Sequence, residues 1–325
     1  MKYQRLGTSG LTVSRLALGC MGFGHGPSAA QPWAVTPDQA ETIIRQALDA
    51  GITLFDTANV YSAGASEEVT GEILKRLGVR EQVLIATKVY GQMEPGPNGS
   101  GLSRGAILRQ ADESLRRLGT DYIDLYQIHR FDTETPVEET MEALDDLVKA
   151  GKVRYLGASS MYAWQFAKMQ HAVQLNGWTR FVSMQDQYNL LMREEEREMH
   201  PLCGDQGVGV IPWSPLARGR LTRPWGETSA RTALDAVGRS MYAQDEAADQ
   251  AIVEAVGQVA EQRGASRTQV ALAWLQSKPA VSAPILGATR TEHLGEALAA
   301  LDITLSEQEI DMLESPYTPR LPVAY

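Results

Sequence analysis

The chain has 325 residues, 43% of them hydrophobic, a formal net charge of −10 at pH 7 and two cysteines, Cys20 and Cys203. Its mean hydropathy of −0.24 describes a soluble globular protein, and a pI near 5.1 disfavours nucleic acid or an anionic membrane as a partner. Two cysteines without paired spacing argue against a zinc site or a disulfide framework, and the polar N-terminus without a long apolar run makes the cytoplasm the expected location.

In chain order, the sequence opens with a hairpin-like pair at 2–6 and 11–13 across a Gly-containing turn. A repeating grammar follows, in which a short apolar run, a loop and an amphipathic segment of helical period alternate. Strands are expected at 15–18, 53–55, 83–86, 123–127, 153–157, 181–184, 209–212 and 283–286. Helices are expected at 37–50, 66–77, 104–118, 136–150, 162–175, 194–202, 249–263 and 291–299, with helical tails at 267–278 and 306–314. Thr36 reads as a cap with Pro37 in the first turn, and Gly51, Gly119 and Gly151 read as stops.

About eight such alternations predict an α/β fold, a (β/α)8 TIM barrel with an N-terminal hairpin, forming one domain over 1–325. The rival is an open doubly wound sheet, which usually carries Gly-x-Gly-x-x-Gly after its first strand; GCMGFGHG stands there without that spacing. Three long loops, 22–37, 89–103 and 217–244, all follow strands. In a barrel they crowd the face where active sites are built.

The strand ends carry the chemistry. Thr53-Leu54-Phe55 runs into Asp56, with Tyr61 five residues on; VLIATK ends at Lys88; IDLYQIH ends at His129. Singly, each has a plain structural role: a loop cap, a snorkelling amine, a space-filling ring, a half-buried aromatic. Convergence from three consecutive strands points instead to carbonyl reduction. Hydride adds to the carbonyl carbon while an acid protonates the developing alkoxide. A phenol with a pKa near 10 is a poor acid until an adjacent ammonium lowers that value. Tyr61 is therefore the expected acid, Lys88 its tuner, Asp56 the anchor of Lys88, and His129 the donor that orients the carbonyl oxygen.

The remaining strand ends suit a dinucleotide hydride donor. Ser159, Ser160, Gln185 and nearby Asn189 offer hydroxyls and amides for a carboxamide, and Trp213 offers a flat face for a nicotinamide ring. Ser214, Pro215, Leu216, Arg218 and Gly219 fall where a pyrophosphate would lie; Gly287, Thr289 and Arg290 open the last helix as a phosphate site. Cys20 and Met21, after the first strand, are placed with these cofactor contacts.

These residues resemble the aldo/keto reductase superfamily over nearly the whole chain, through LFDTANVYSAGASEE, IATKV, YIDLYQIHR, GASS, SMQDQYNLL, PWSPLARGRLTRPWGET and PILGATRTEHL in order. The resemblance implies a TIM barrel, NADP(H) as cofactor, a tetrad of Asp56, Tyr61, Lys88 and His129, and an adenosine side reaching His293 and Glu296. His293 and Ala297 stand where that family commonly has Gln and Asn. The run MQDQYNLLMREEEREMHPLC is similar to a bacterial group assigned 1-deoxyxylulose 5-phosphate formation, which implies short or phosphorylated sugars as substrates. Two other readings are a nicotinamide-binding redox sensor for a partner protein and a Schiff-base enzyme using Lys88; Asp56 opposes the latter, because pairing keeps an amine charged. No partner besides a small-molecule carbonyl compound is implied, and no metal.

Overall fold

A computed structural model describes residues 1–26, 32–228, 235–243 and 245–322. β1 (Tyr3–Arg5) and β2 (Thr12–Ser14) form the antiparallel hairpin. Eight further strands follow: β3 (Ala17–Gly19), β4 (Leu54–Asp56), β5 (Leu84–Val89), β6 (Ile123–Ile128), β7 (Val153–Ser159), β8 (Phe181–Gln185), β9 (Gly209–Val210) and β10 (Ile285–Gly287). They pair in parallel in the order β10-β3-β4-β5-β6-β7-β8-β9. Backbone bonds from Ser282 N to Val210 O (2.7 Å) and Ile285 N to Pro212 O (2.8 Å) join the two ends of that sheet. The fold is therefore the expected (β/α)8 barrel.

The helices are α1 (Pro37–Asp49), α2 (Ala65–Arg76), α3 (Arg104–Leu118), α4 (Val137–Lys149), α5 (Ala163–Asn176), α6 (Met199–Gln206), α7 (Ala236–Met241), α8 (Glu246–Arg263), α9 (Arg267–Ser277), α10 (Thr291–Ala299) and α11 (Glu307–Glu314). Their apolar stripes pack on the outer faces of the strands in one large core that includes Phe55, Ile85, Tyr126 and Trp274. A second cluster fills the barrel interior: Ala17, Leu54, Ala86, Leu125, Ile211 and Ala283, closed from the amino end by the hairpin residues Leu6, Leu11 and Val13. The hairpin is thus the floor of the barrel.

Caps decide the helix ends. Thr36 and Gln39 form a capping box at α1, Ser103 caps α3, and Gly119 ends α3 in the left-handed region at φ 62°. The helix expected at 194–202 is instead a 3₁₀ turn, Glu194–Glu196, followed by α6. Pro201 explains the difference: inside a continuous helix its ring would strike the carbonyl of Arg197, whereas in the first turn of α6 it is tolerated. Helix α7, capped by Asp235, was expected to be loop.

Glu195 sits buried in that rearranged turn, and burial, with Asp186 and Glu194 adding, pushes its carboxyl up to about 9. Its folded pKa lies above the unfolded value near 4.3, so the stability it contributes is present below about pH 4 and is lost as pH rises towards 9. Glu195→Gln, which cannot titrate, should therefore gain on the parent protein by about 1 kcal/mol or more between pH 5 and 9. Urea unfolding at both pH values checks this; a gap that does not change with pH would rule it out.

Candidate active site

Period two along the strands builds the site. Leu54, Ala86 and Leu125 point into the apolar interior, and the next inward positions are Asp56, Lys88 and Gln127. The lining therefore turns from apolar to polar where the strands reach their carboxyl ends. Lys88 lies level with Gln127, and Gln127 with Gly157. A Cβ at residue 157 would stand 2.4 Å from Ser183 Oγ and 3.0 Å from Gln127 Cγ, so glycine there leaves the room Gln127 occupies.

Lys88 is completely buried, and its Nζ donates to Asp56 Oδ2 (2.6 Å), Thr57 O (2.9 Å) and Tyr61 Oη (3.2 Å). Three acceptors use all three ammonium protons, which fixes the direction of each. Asp56 Oδ1 accepts from Gln127 Nε2 (3.0 Å) and Gln185 Nε2 (2.8 Å). His129 meets the Tyr61 ring edge to face, with centroids 5.6 Å apart. The four residues expected to converge do so.

Tyr61 opens a short turn in which Ser62 and Ala63 are left-handed, with φ 49° and 53°. Ser62 Oγ ties that turn to Phe23 O at 3.2 Å. Ser160, Ser214, Ala217 and Arg218 are also non-glycine residues with positive φ. Such backbone persists only where the surroundings impose it, and here it gathers around the same end of the barrel.

The electrostatics revise one expectation. Lys88 does pull the Tyr61 phenol down, but burial outweighs it and holds the phenol above its ordinary value. The reason is desolvation: a phenolate would lose its hydration in this pocket. The phenol thus keeps its proton at neutral pH, which is the state an acid needs. Burial pulls the Lys88 amine down, yet Asp56 and Tyr61 together hold it above its ordinary value. A charged amine cannot add to a carbonyl, which weighs against Schiff-base chemistry. Burial, then Lys88 and Arg130, hold the His129 imidazole well below its ordinary value, so it is neutral and can donate one N–H.

On the other side of the mouth, Trp213 is half-buried and its indole Nε1 donates to Ser160 Oγ at 3.0 Å, with Ser159 Oγ 3.3 Å from Ser160 Oγ. Asn189 Nδ2 holds the next turn through Ser214 O (2.9 Å) and Tyr242 Oη (3.0 Å). Leu216, Arg218 and Gly219 are half-exposed along that turn while Pro215 is buried. Arg218 is paired with Asp235 and borders a cavity of about 350 Å³ that also meets Arg223 and Arg239. Beyond it, Gly287 is exposed, Thr289 and His293 are half-exposed, and Arg290 and Glu296 lie at the surface. Arg290 Nη2 lies 3.0 Å from His293 Nε2, and Ala297 packs in the core. Of the pair after β3, Met21 reaches the surface; Cys20 is fully buried, with its thiol pushed up to about 12 by burial.

Three members of this site were not picked out from the sequence. Gln127 is the clearest: the inward alternation Leu125, Gln127, His129 was available as a signal. Thr57 acts through its carbonyl, which any residue possesses, and Tyr242 lies in the long third loop, 53 positions from Asn189. Among the described residues no three His, Cys, Asp or Glu side chains are placed to hold a metal, and no helix is long and apolar enough to cross a membrane.

Known proteins share this arrangement of sequence. Versiconal hemiacetal acetate reductase of Aspergillus parasiticus is 44% identical over 98% of this chain and 98% of its own length. Putative aryl-alcohol dehydrogenase C977.14c of Schizosaccharomyces pombe is 42% identical over 98% of this chain and 96% of its own. Putative aryl-alcohol dehydrogenase AAD16 of Saccharomyces cerevisiae is 40% identical over 98% of each. A family model described as "Aldo/keto reductase family" matches residues 15–317, a span that runs from the start of the barrel past its last strand. By fold and by sequence, the chain belongs to the aldo/keto reductase family of oxidoreductases.

Proposed function

We propose that residues 1–325 act as one NADPH-dependent reductase that converts aldehydes or ketones to alcohols, with Tyr61 as the acid. The observation that carries this is the buried Lys88 ammonium bonded at once to Asp56, Thr57 and the Tyr61 hydroxyl. A reduced nicotinamide dinucleotide supplies a hydride when bound. Tyr61 then gives its proton to the carbonyl oxygen as the C–H bond forms, and takes one back from solvent after the alcohol leaves. His129, neutral, donates to the same oxygen and aims it at the phenol. Lys88 stabilises the phenolate that remains, and Asp56 keeps Lys88 in place.

The residues fit a dinucleotide. Trp213 presents a ring whose Nε1 is held by Ser160, Ser159 and Gln185 supply amide-pairing groups, and Ser214 is followed by a left-handed turn at Ala217, Arg218 and Gly219. Arg290 immediately precedes helix α10 at its N-cap, and its guanidinium is steadied by His293. An arginine at a helix N-terminus favours a 2′-phosphate, hence NADPH over NADH. The relatives named as aryl-alcohol dehydrogenases favour aromatic carbonyl compounds over the short or phosphorylated sugars implied by the run 184–203.

Purified protein mixed with NADPH and benzaldehyde should lose absorbance at the reduced-nicotinamide band, and NADH should serve less well. Arg290→Ala should raise the KM for NADPH on the order of tenfold and change that for NADH little, since one charge-assisted contact is worth about 1.4 kcal/mol. Equal KM shifts for both cofactors would refute the assignment to the 2′-phosphate. No turnover of any aldehyde, with NADPH tightly retained, would favour the redox-sensing reading instead.

A further inference from the structure

Immediately beyond His129 stands a cation that the reaction does not use. Arg130 is half-buried at the end of β6, and Nη1 donates to His129 O at 2.6 Å. Among the described residues it forms no ion pair. The remaining residues, 27–31, 229–234, 244 and 323–325, contain no aspartate or glutamate side chain. The nearest acid in sequence, Asp132, is turned away: its Oδ2 accepts from Leu102 N (2.7 Å) and Thr135 Oγ1 (2.8 Å), and its Oδ1 from Glu134 N (3.0 Å). Burial, countered in part by Tyr61 and Tyr90, holds the Arg130 guanidinium below its ordinary value, and the nearness of those two rings places it on the phenol's side of the mouth.

The strand order separates this cation from the cofactor's phosphates. In the circle of eight, β6 lies four places from β10, so Arg130 stands across the barrel from Arg290. The flanking loops add aromatic surface on the same side. Phe131 and Trp164 lie with ring centroids 6.0 Å apart, and Trp164 is 61% exposed and Tyr162 48% exposed. Through Phe131, the next residue after Arg130, this end of the barrel joins a stacking face to a two-pronged donor. A guanidinium that has lost part of its hydration and has no carboxylate partner is stabilised by an anion that binds it in two places.

We propose that Arg130 receives an anionic substituent of the substrate, and that this site takes aromatic carbonyl compounds carrying a carboxylate or phosphate group. The proposal rests on the carbonyl-reductase reading above and names its substrate class. Arg130 acts as a specificity-determining contact; Phe131 and Trp164 form the wall against which the aryl ring lies.

The test compares kcat/KM for 4-carboxybenzaldehyde with that for its methyl ester, methyl 4-formylbenzoate. Because the same two substrates enter every ratio, their intrinsic reactivity cancels between variants. Arg130→Leu should lower the carboxylate-to-ester ratio on the order of tenfold, and Arg130→Lys should keep much of it. Raising ionic strength should lower the ratio in the unmodified protein, a measurement that holds even where the leucine variant does not fold. Substituting 4-formylphenyl phosphate for the carboxylate shows which anion is preferred. Trp164→Ala should raise the KM for 4-carboxybenzaldehyde more than that for the aliphatic succinic semialdehyde. A ratio unchanged by both Arg130 variants and by salt would overturn the proposal while benzaldehyde reduction stands. Failure to reduce benzaldehyde at all would overturn the reductase reading, and this one with it.

Discussion

Replacing Tyr61 with phenylalanine is expected to lower kcat for carbonyl reduction by about 10²–10⁴ while leaving NADPH affinity within about twofold. The phenol is the one proton donor that Lys88 touches, at 3.2 Å, and the ring without its hydroxyl retains the edge contact to His129. Because burial keeps the phenol above its ordinary value, reduction by the unmodified protein should show no loss through the neutral range. The acid is active when protonated, so activity falls only as pH rises through that raised pKa. His129, held well below its ordinary value, should add no inflection near pH 6.5. Stopped-flow measurement of a single turnover separates the chemical step from cofactor release. Turnover in Tyr61→Phe equal to that of the parent would end the assignment.

The second large effect is expected at Lys88. Lys88→Met removes the ammonium that Asp56 neutralises and leaves a carboxylate 3% exposed, held by the amides of Gln127 and Gln185 alone. Breaking a buried pair from one side typically costs about 3–5 kcal/mol, so both stability and activity should fall. The double variant Lys88→Met with Asp56→Asn should regain much of the stability, because the stranded charge is gone. It should remain inactive, because nothing stabilises the phenolate. Urea unfolding and NADPH oxidation, measured on the two variants and the parent protein together, check this. Activity that returns with stability would show that the pair is only structural.

The substitutions separate by the part of the protein they report on. Glu195→Gln reports on a buried carboxyl remote from the tetrad in sequence, Arg290→Ala on the cofactor, Arg130 variants on the substrate, and Tyr61 and Lys88 variants on proton transfer.

Much of this protein was determined by local sequence alone. The strands expected at 53–55 and 123–127 appear as β4 and β6 with one-residue shifts, because alternating apolar runs bounded by polar residues define a buried strand without outside help. Helix 104–118 has the expected bounds, because Ser103 and Gly119 satisfy its ends within a few bonds of the chain. Period two also places Asp56, Lys88 and His129 at strand ends, and closing the sheet is what makes them neighbours.

The tertiary structure decided the rest. The direction of the Tyr61 pKa depends on how much water burial removes, and no neighbour in sequence reports that. Gln127 and Gln185 reach Asp56 from 71 and 129 positions away, and Asn189 reaches Tyr242 across 53. Arg130 is a substrate candidate because Asp132 is engaged elsewhere, by an amide 30 positions upstream. Local bonds choose the elements because their partners are a few residues apart. The charge state and freedom of a side chain are instead set by whichever distant groups the barrel brings against it, so they become legible only once the barrel has closed.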